Sequence, residues 1–194
     1  MNKSSTFDPD TLTPGARRIL DTAAELFYEN GITAVGVDLV AARSGVTKRT
    51  LYNRFGSKDT LVATYLLERD RRWRALVMRC VDARTAAVER IVAPFEALRE
   101  WSADNPRGCA FINALAELPD PGHPAHRIAL DEKRWLRDLF ERSAEQAGAE
   151  HPADLSERLF CLHEGALAMQ ATAPDVDGAH IAAGLAHEVA RAAL

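Results

Sequence analysis

The chain has 194 residues, 47% of them hydrophobic and 27% charged, which is enough apolar side chain to close a core without disulfide staples. No stretch approaches the roughly 18 consecutive apolar residues that a membrane-spanning helix needs. A net charge of −4 argues against a protein that coats nucleic acid with its whole surface.

In chain order, the polar stretch "MNKSSTFDPDTLTP" lacks the apolar run of a secretory signal, so residues 1–12 are expected to be a disordered arm of a cytoplasmic protein. Thr13 with Pro14 predicts a capped helix whose Ile19, Ala23, Leu26 and Phe27 share one face and which Gly31 stops. A short helix is predicted over about 37–44, then Gly45, then a second short helix over about 47–55. Ser57 is expected to cap a longer helix with Asp59 in its first turn, running to about residue 79. Further helices are predicted near 85–104, 107–118, 125–147, 154–173 and 178–193, separated by proline and glycine clusters. Pro94 falls inside one of them and is expected to kink or split it. No alternating β-branched segment is present, so the chain is predicted to be all-α with about nine helices.

Charge is not spread evenly. Residues 1–60 carry eight Lys/Arg against seven Asp/Glu, while the remainder is net negative. From Leu39 to Lys58 there is no carboxylate, although Arg43, Lys48, Arg49, Arg54 and Lys58 all fall there. Two short helices joined at a glycine behind a longer one form a helix-turn-helix pattern. On the second short helix Val46, Thr50, Leu51 and Phe55 can share a buried face, which leaves Thr47, Lys48, Arg49, Tyr52 and Asn53 outward. Leu39 and Val40 are expected in the core with them. Thr47 and the first-turn amides suit a phosphate. Tyr52 and Lys58 can reach further phosphates, and Arg49 or Lys48 can pair with the acceptors of a guanine edge. Excluding carboxylates avoids repulsion from a polyanion.

Residues 16–62, "ARRILDTAAELFYENGITAVGVDLVAARSGVTKRTLYNRFGSKDTLV", resemble the N-terminal DNA-binding domain of the TetR family of transcriptional regulators. The likeness runs in order through "AAELFYENG", "VAARSGV", "TLYNRF" and Ser57-Lys58. Residues 107–124, "RGCAFINALAELPDPGHP", are similar to a segment of one subgroup. The resemblance implies a helix-turn-helix domain over 13–60 and a helical ligand-binding and dimerisation domain over 61–194. It also implies a homodimer that binds a palindromic double-stranded DNA operator and releases it when a small-molecule inducer binds. The departures are Gly36 where a Ser or Thr cap is common, Arg49 where glycine is frequent, and Arg54 where histidine is frequent; Arg49 adds a candidate base reader. Arg43, Thr47, Lys48, Arg49, Tyr52, Asn53 and Lys58 are the DNA-binding candidates.

For the ligand, the resemblance points to the interior of the second domain. Trp101, Cys109, Asn113, Glu117, Trp135, Phe140, His163 and Met169 are the candidates there, with Phe111 and Glu164 beside them. Small residues in "EGALAMQATA" and "AAGLAHEVARAAL" are expected at the dimer interface that the resemblance implies. A twofold axis would then place two recognition helices on half-sites roughly 34–36 Å apart or a multiple of that.

Enzyme and metal motifs fail on spacing. "HEGAL" has Leu167 where a zinc peptidase needs its second histidine, and "DVDG" at 175–178 lacks the ligands of a calcium loop. Cys161 and His163 are two apart on one helix and face different ways. Cys80, Cys109 and Cys161 form no CxxC pair and are expected to be reduced, buried thiols. No cofactor, metal site or catalytic activity is expected. The rival reading of the basic stretch is a non-specific DNA binder that makes phosphate contacts only.

Overall fold

The structure is a computed structural model that describes residues 12–194. The described residues form nine α-helices and no strand: α1 (Pro14–Asn30), α2 (Val37–Arg43), α3 (Lys48–Phe55), α4 (Lys58–Asp82), α5 (Ala87–Asp104), α6 (Ala110–Glu117), α7 (Pro124–Ala147), α8 (Pro152–Thr172) and α9 (Gly178–Ala192). The arm expected over 1–12 lies, apart from Leu12, outside the described residues. No described helix is long and apolar enough to cross a membrane.

Helix starts follow local chemistry. Thr13 Oγ1 accepts the Ala16 amide at 3.4 Å with Pro14 at the first helical position. Ser57 Oγ accepts the Thr60 amide at 3.0 Å at the head of α4. Gly36 begins α2 without any side-chain cap, and Asp38 supplies none. Pro94 does not split α5, which runs unbroken through it with Pro94 buried among Val92, Ala93 and Phe95. The lost hydrogen bond of one imide nitrogen is outweighed there by apolar burial on both sides.

The described chain divides into two compact units. One comprises 12–71 with Ala110–Asp131, and the other Arg72–Cys109 with Glu132–Leu194; α4 contributes to both. In the first unit, Ile19, Leu20, Phe27, Val40, Leu51, Phe55, Leu61 and Leu66 are buried, and the Phe27 and Tyr65 rings meet at 5.9 Å. Leu39, expected in this core, is 42% exposed. Val40 takes the inward position of α2, and the adjacent residue therefore points outward.

The second unit is a helical bundle in which α9 packs against α5 and α8. Trp73, Phe95, Leu136, Phe140, Leu155 and Leu159 stand at the centre of its core. Cys80 and Cys109 are half-buried in the chain, whereas Cys161, expected to be buried, is exposed on α8. His163, two residues further on, takes the inward position instead.

Candidate functional site

The outward face of α3 is fixed by what lies beneath it. Gly45, at φ +69°, makes a left-handed turn that a Cβ would strain, and so brings α3 back across α2. The Ser44 hydroxyl donates to the Val40 carbonyl at 2.7 Å and closes the end of α2. Thr47 Oγ1 accepts the Thr50 amide at 3.1 Å and shares a 2.9 Å hydrogen bond with Thr50 Oγ1. Leu51 and Phe55, one turn apart, are at most 1% exposed and lock the roll of the helix. Thr47, Lys48, Arg49, Tyr52 and Asn53 are consequently all exposed, as are Arg43 on α2 and Arg54 on α3.

The cations on this face are not equivalent. Lys48 Nζ lies 3.0 Å from Asp38 Oδ1, and its pKa is raised by the hydrogen bond and charge of that carboxylate. Arg43, Arg49 and Arg54 make no ion pair among the described residues. Lys58 is half-buried, with Nζ 5.9 Å from the centroid of the Phe27 ring. Burial pushes its pKa down, against the upward pull of Asp59 and Glu117. Thr47 Oγ1 caps the helix by accepting the Thr50 amide, which leaves its O–H able to donate beside the first-turn amides.

The same unit ties α6 to the turn between α1 and α2, and the segment before α7 to α4. The Thr33 amide donates to Glu117 Oε2 at 2.8 Å, and the Thr33 hydroxyl donates to the Glu117 carbonyl at 3.3 Å. Gly31 stands at φ +91°, where a Cβ would lie 3.1 Å from Glu117 Oε2. His123 Nε2 lies 3.4 Å from Asp59 Oδ1 on α4. Glu117 and Asn113, expected in a ligand pocket, are thus placed in the first unit, with Phe111 buried beside them.

In the second unit the structure brings Phe140 and His163 together and adds residues the sequence did not single out. His163 is 1% exposed, and neither ring nitrogen has a hydrogen-bond partner. Trp73, Phe95 and Phe140 surround it, with ring centroids at 5.8, 5.7 and 6.4 Å. Trp101 meets Trp73 edge-on at 5.7 Å. Glu164 Oε1 is 3.5 Å from His163 Nδ1, too far for more than an electrostatic contact, and accepts from Lys133 Nζ at 2.8 Å. Burial drives the His163 pKa down and prevails over the opposing pull of Glu164. Lys133 loses to burial but gains more from Cys109, Glu132 and Glu164, so its pKa is raised and it stays charged.

Of the remaining candidates, Cys109 lies near enough to Lys133 for its charge to act there, and Trp135 packs against the same core cluster. Trp135 carries the Arg74 guanidinium 4.8 Å from its ring, and half-buried Met169 faces Gly178. Trp73, Phe95 and Lys133 were missed because buried aromatic and basic residues at helical spacing read as ordinary packing and a solvated face. Asp38 was missed for a different reason: its role depends on a partner ten residues away on another helix.

Comparisons with known proteins agree with this layout. Residues 19–65 match the family model of bacterial regulatory proteins, tetR family. Over 92% of its length the chain resembles the structure of SCO4454, a TetR-family transcriptional regulator from Streptomyces coelicolor, with 34% identity, a TM-score of 0.86 and 96% of that chain covered. It is 28% identical, over 84% of its own length and 87% of the relative's, to the HTH-type transcriptional regulator YjdC of Escherichia coli K12. A TetR transcriptional regulator from Chloroflexus aurantiacus shares the fold at 18% identity and a TM-score of 0.78, with 90% and 92% of the two chains covered.

Proposed function

The chain belongs to the TetR family of DNA-binding transcriptional regulators, and from that membership we propose a cytoplasmic repressor that binds a palindromic operator as a homodimer and is released by a small-molecule inducer. The observation that carries the reading is the α3 surface. Exposed Arg49, Tyr52 and Asn53 stand on a helix anchored by buried Leu51 and Phe55, in a stretch without a carboxylate from Leu39 to Lys58. Such a face fits a major groove, with Arg49 reading a guanine edge and Arg43, Tyr52 and the α3 amides placed for phosphates. Lys48 is a secondary contact, since Asp38 already neutralises it. Lys58 serves as a phosphate contact from the edge of the surface.

The inducer is proposed to enter among the packed aromatic side chains around His163, where an imidazole without a hydrogen-bond partner sits among Trp73, Phe95 and Phe140 beside the Lys133–Glu164 pair. A mostly apolar interior with a few polar groups suits a small organic molecule. No turnover of that molecule is proposed. Binding acts by population shift: a ligand that prefers a dimer with misspaced recognition helices weakens DNA binding by its differential affinity for that state. Residues 61–194 carry ligand binding and dimerisation, and α4 carries the change to the reading helices.

The test is selection from random duplex DNA long enough for two half-sites. Enrichment of an inverted repeat is the expected result. A folded, dimeric protein that retains fragments with no common sequence would overturn the specific-repressor reading.

A further inference from the structure

Half-buried Cys109 ends the Arg72–Cys109 segment of the second unit and meets a buried ionic cluster there. The backbone before it runs close against α8: a Cβ on Gly108, at φ +73°, would lie 3.4 Å from both the Leu167 carbonyl oxygen and Ala171 Cβ. One turn before Leu167 stands Glu164, which accepts from Lys133 Nζ at 2.8 Å. Glu132 Oε2 lies 3.3 Å from the same ammonium. The Lys133 side chain is 14% exposed, so water screens its charge weakly.

The Cys109 sulfur acts on Lys133 more strongly than the charge of either carboxylate does. Such an influence is mutual, for a thiolate that favours the ammonium is favoured by it in return. Glu132 and Glu164 push against a thiolate, and both have Lys133 to hold them. His163 faces the cluster from α8 with Nδ1 3.5 Å from Glu164 Oε1, and burial keeps it neutral, so it adds no charge of either sign. Cys80 supplies the contrast. It is also half-buried, but it stands among the Arg79–Glu100 and Arg84–Glu96 pairs, whose opposite charges offset one another, and burial prevails to raise its pKa.

We propose that Cys109 is a nucleophilic thiol, activated by Lys133, and the site at which small α,β-unsaturated carbonyl compounds modify this chain. The thiol proton leaves to solvent and the sulfur bonds the β-carbon. The C=C electron pair moves toward the carbonyl to form an enolate, and water returns a proton to the α-carbon. The step needs no oxidant, and Lys133 keeps its proton throughout. Its ammonium also favours the enolate, whose negative charge forms within a few atoms of the sulfur. The proposal does not rest on the inducer reading.

Acrylamide, a small compound of this class, is the probe. The full chain, freed of reducing agent, is treated with it between about pH 6 and about pH 8, and the rates of adduct formation on Cys80 and Cys109 are followed by peptide mass spectrometry. Below a pKa near 8.5 a thiol loses thiolate about tenfold per pH unit, so Cys80 should slow roughly a hundredfold across that range. Cys109 should slow less than about tenfold. Lys133→Met should give Cys109 the steep profile, and Lys133→Arg should leave it shallow. Should Lys133→Met fail to fold, the profile of the unaltered chain still decides. No Cys109 adduct at about pH 8, a Cys109 profile as steep as that of Cys80, or a shallow profile that persists in folded Lys133→Met would each overturn the inference.

Discussion

Glu117 and Thr33, 84 residues apart in sequence, hold each other at two points, amide to carboxylate at 2.8 Å and hydroxyl to carbonyl at 3.3 Å. The last residue of α6 is thereby fastened to the turn between α1 and α2. A displacement of that helix end must either break the pair or carry the turn with it. The close approach of Gly31 to the same carboxylate leaves little slack.

Glu117→Ala removes the carboxylate acceptor and should cost about 1 kcal/mol, since Thr33 is exposed and water replaces part of what is lost. Glu117→Gln keeps an oxygen that can accept and should cost less. Gly31→Ala faces both a left-handed φ and the carboxylate oxygen, and should cost about 1–2 kcal/mol. Urea unfolding of the three variants checks the order; a Gly31→Ala protein as stable as its parent would contradict the close approach.

Arg49→Ala should lose discrimination at one operator position by about 1–3 kcal/mol and leave the others unchanged. Asp38→Asn should do the reverse. It frees Lys48, raises affinity for all duplexes alike, and steepens the salt dependence by about one counterion. Fluorescence anisotropy on the selected operator and its single-base variants, over a salt series, separates the two behaviours.

Much of this reading surface was legible in the sequence because it is local. Cap residues, the turn glycine and the apolar spacing of Leu51 and Phe55 all act within a few residues of one another. The Glu117–Thr33 tie was not legible, for no periodicity or charge pattern joins residues from separate helices that far apart. For the same reason Glu117 read as pocket lining. His163 was singled out as a polar residue on an apolar stretch, but Trp73 and Phe95 became its neighbours only when three helices met. Leu39 and Cys161 show the complementary limit: hydropathy ranks a residue, and the roll of its helix decides whether it faces inward.

Acid should weaken the fold through His163. The buried imidazole stays neutral with its pKa below the usual 6.5, whereas the unfolded chain takes up that proton near 6.5. The unfolded state then binds more protons, so stability present above about pH 6.5 is lost as pH falls toward the folded value. One such proton gives a slope of at most ~1.4 kcal/mol per pH unit. Burial pushes the Glu164 pKa up, but the Lys133 ammonium bonded to it at 2.8 Å holds it below its ordinary 4.5, so it adds its own loss only beneath that value. The urea midpoint should fall between about pH 7.5 and about pH 5.5, and fall less in His163→Gln. Equal falls in the two proteins would place the titration elsewhere.

Ile181 and Leu185 are 47% and 43% exposed one turn apart on α9, with Gly184 beside them and nothing within 4 Å of its missing Cβ. If α9 forms the proposed dimer contact, Ile181→Asp and Leu185→Asp bury a charge there and should raise the dimer dissociation constant at least ~30-fold. Sedimentation velocity on both variants should show monomer. Undisturbed dimers would move the interface off this face.

The outward turn of Cys161 also equips the protein with a chemical handle. Cys80 and Cys109 are half-buried, and burial raises the Cys80 pKa, which lowers its share of reactive thiolate. A maleimide dye or nitroxide therefore marks Cys161 first, without any engineered substitution. Energy transfer between two such labels would report the separation of α8 from its mate as DNA or a small molecule is added. The same thiol makes reducing agent a requirement in every preparation, because two chains meeting through it in air can become covalently joined.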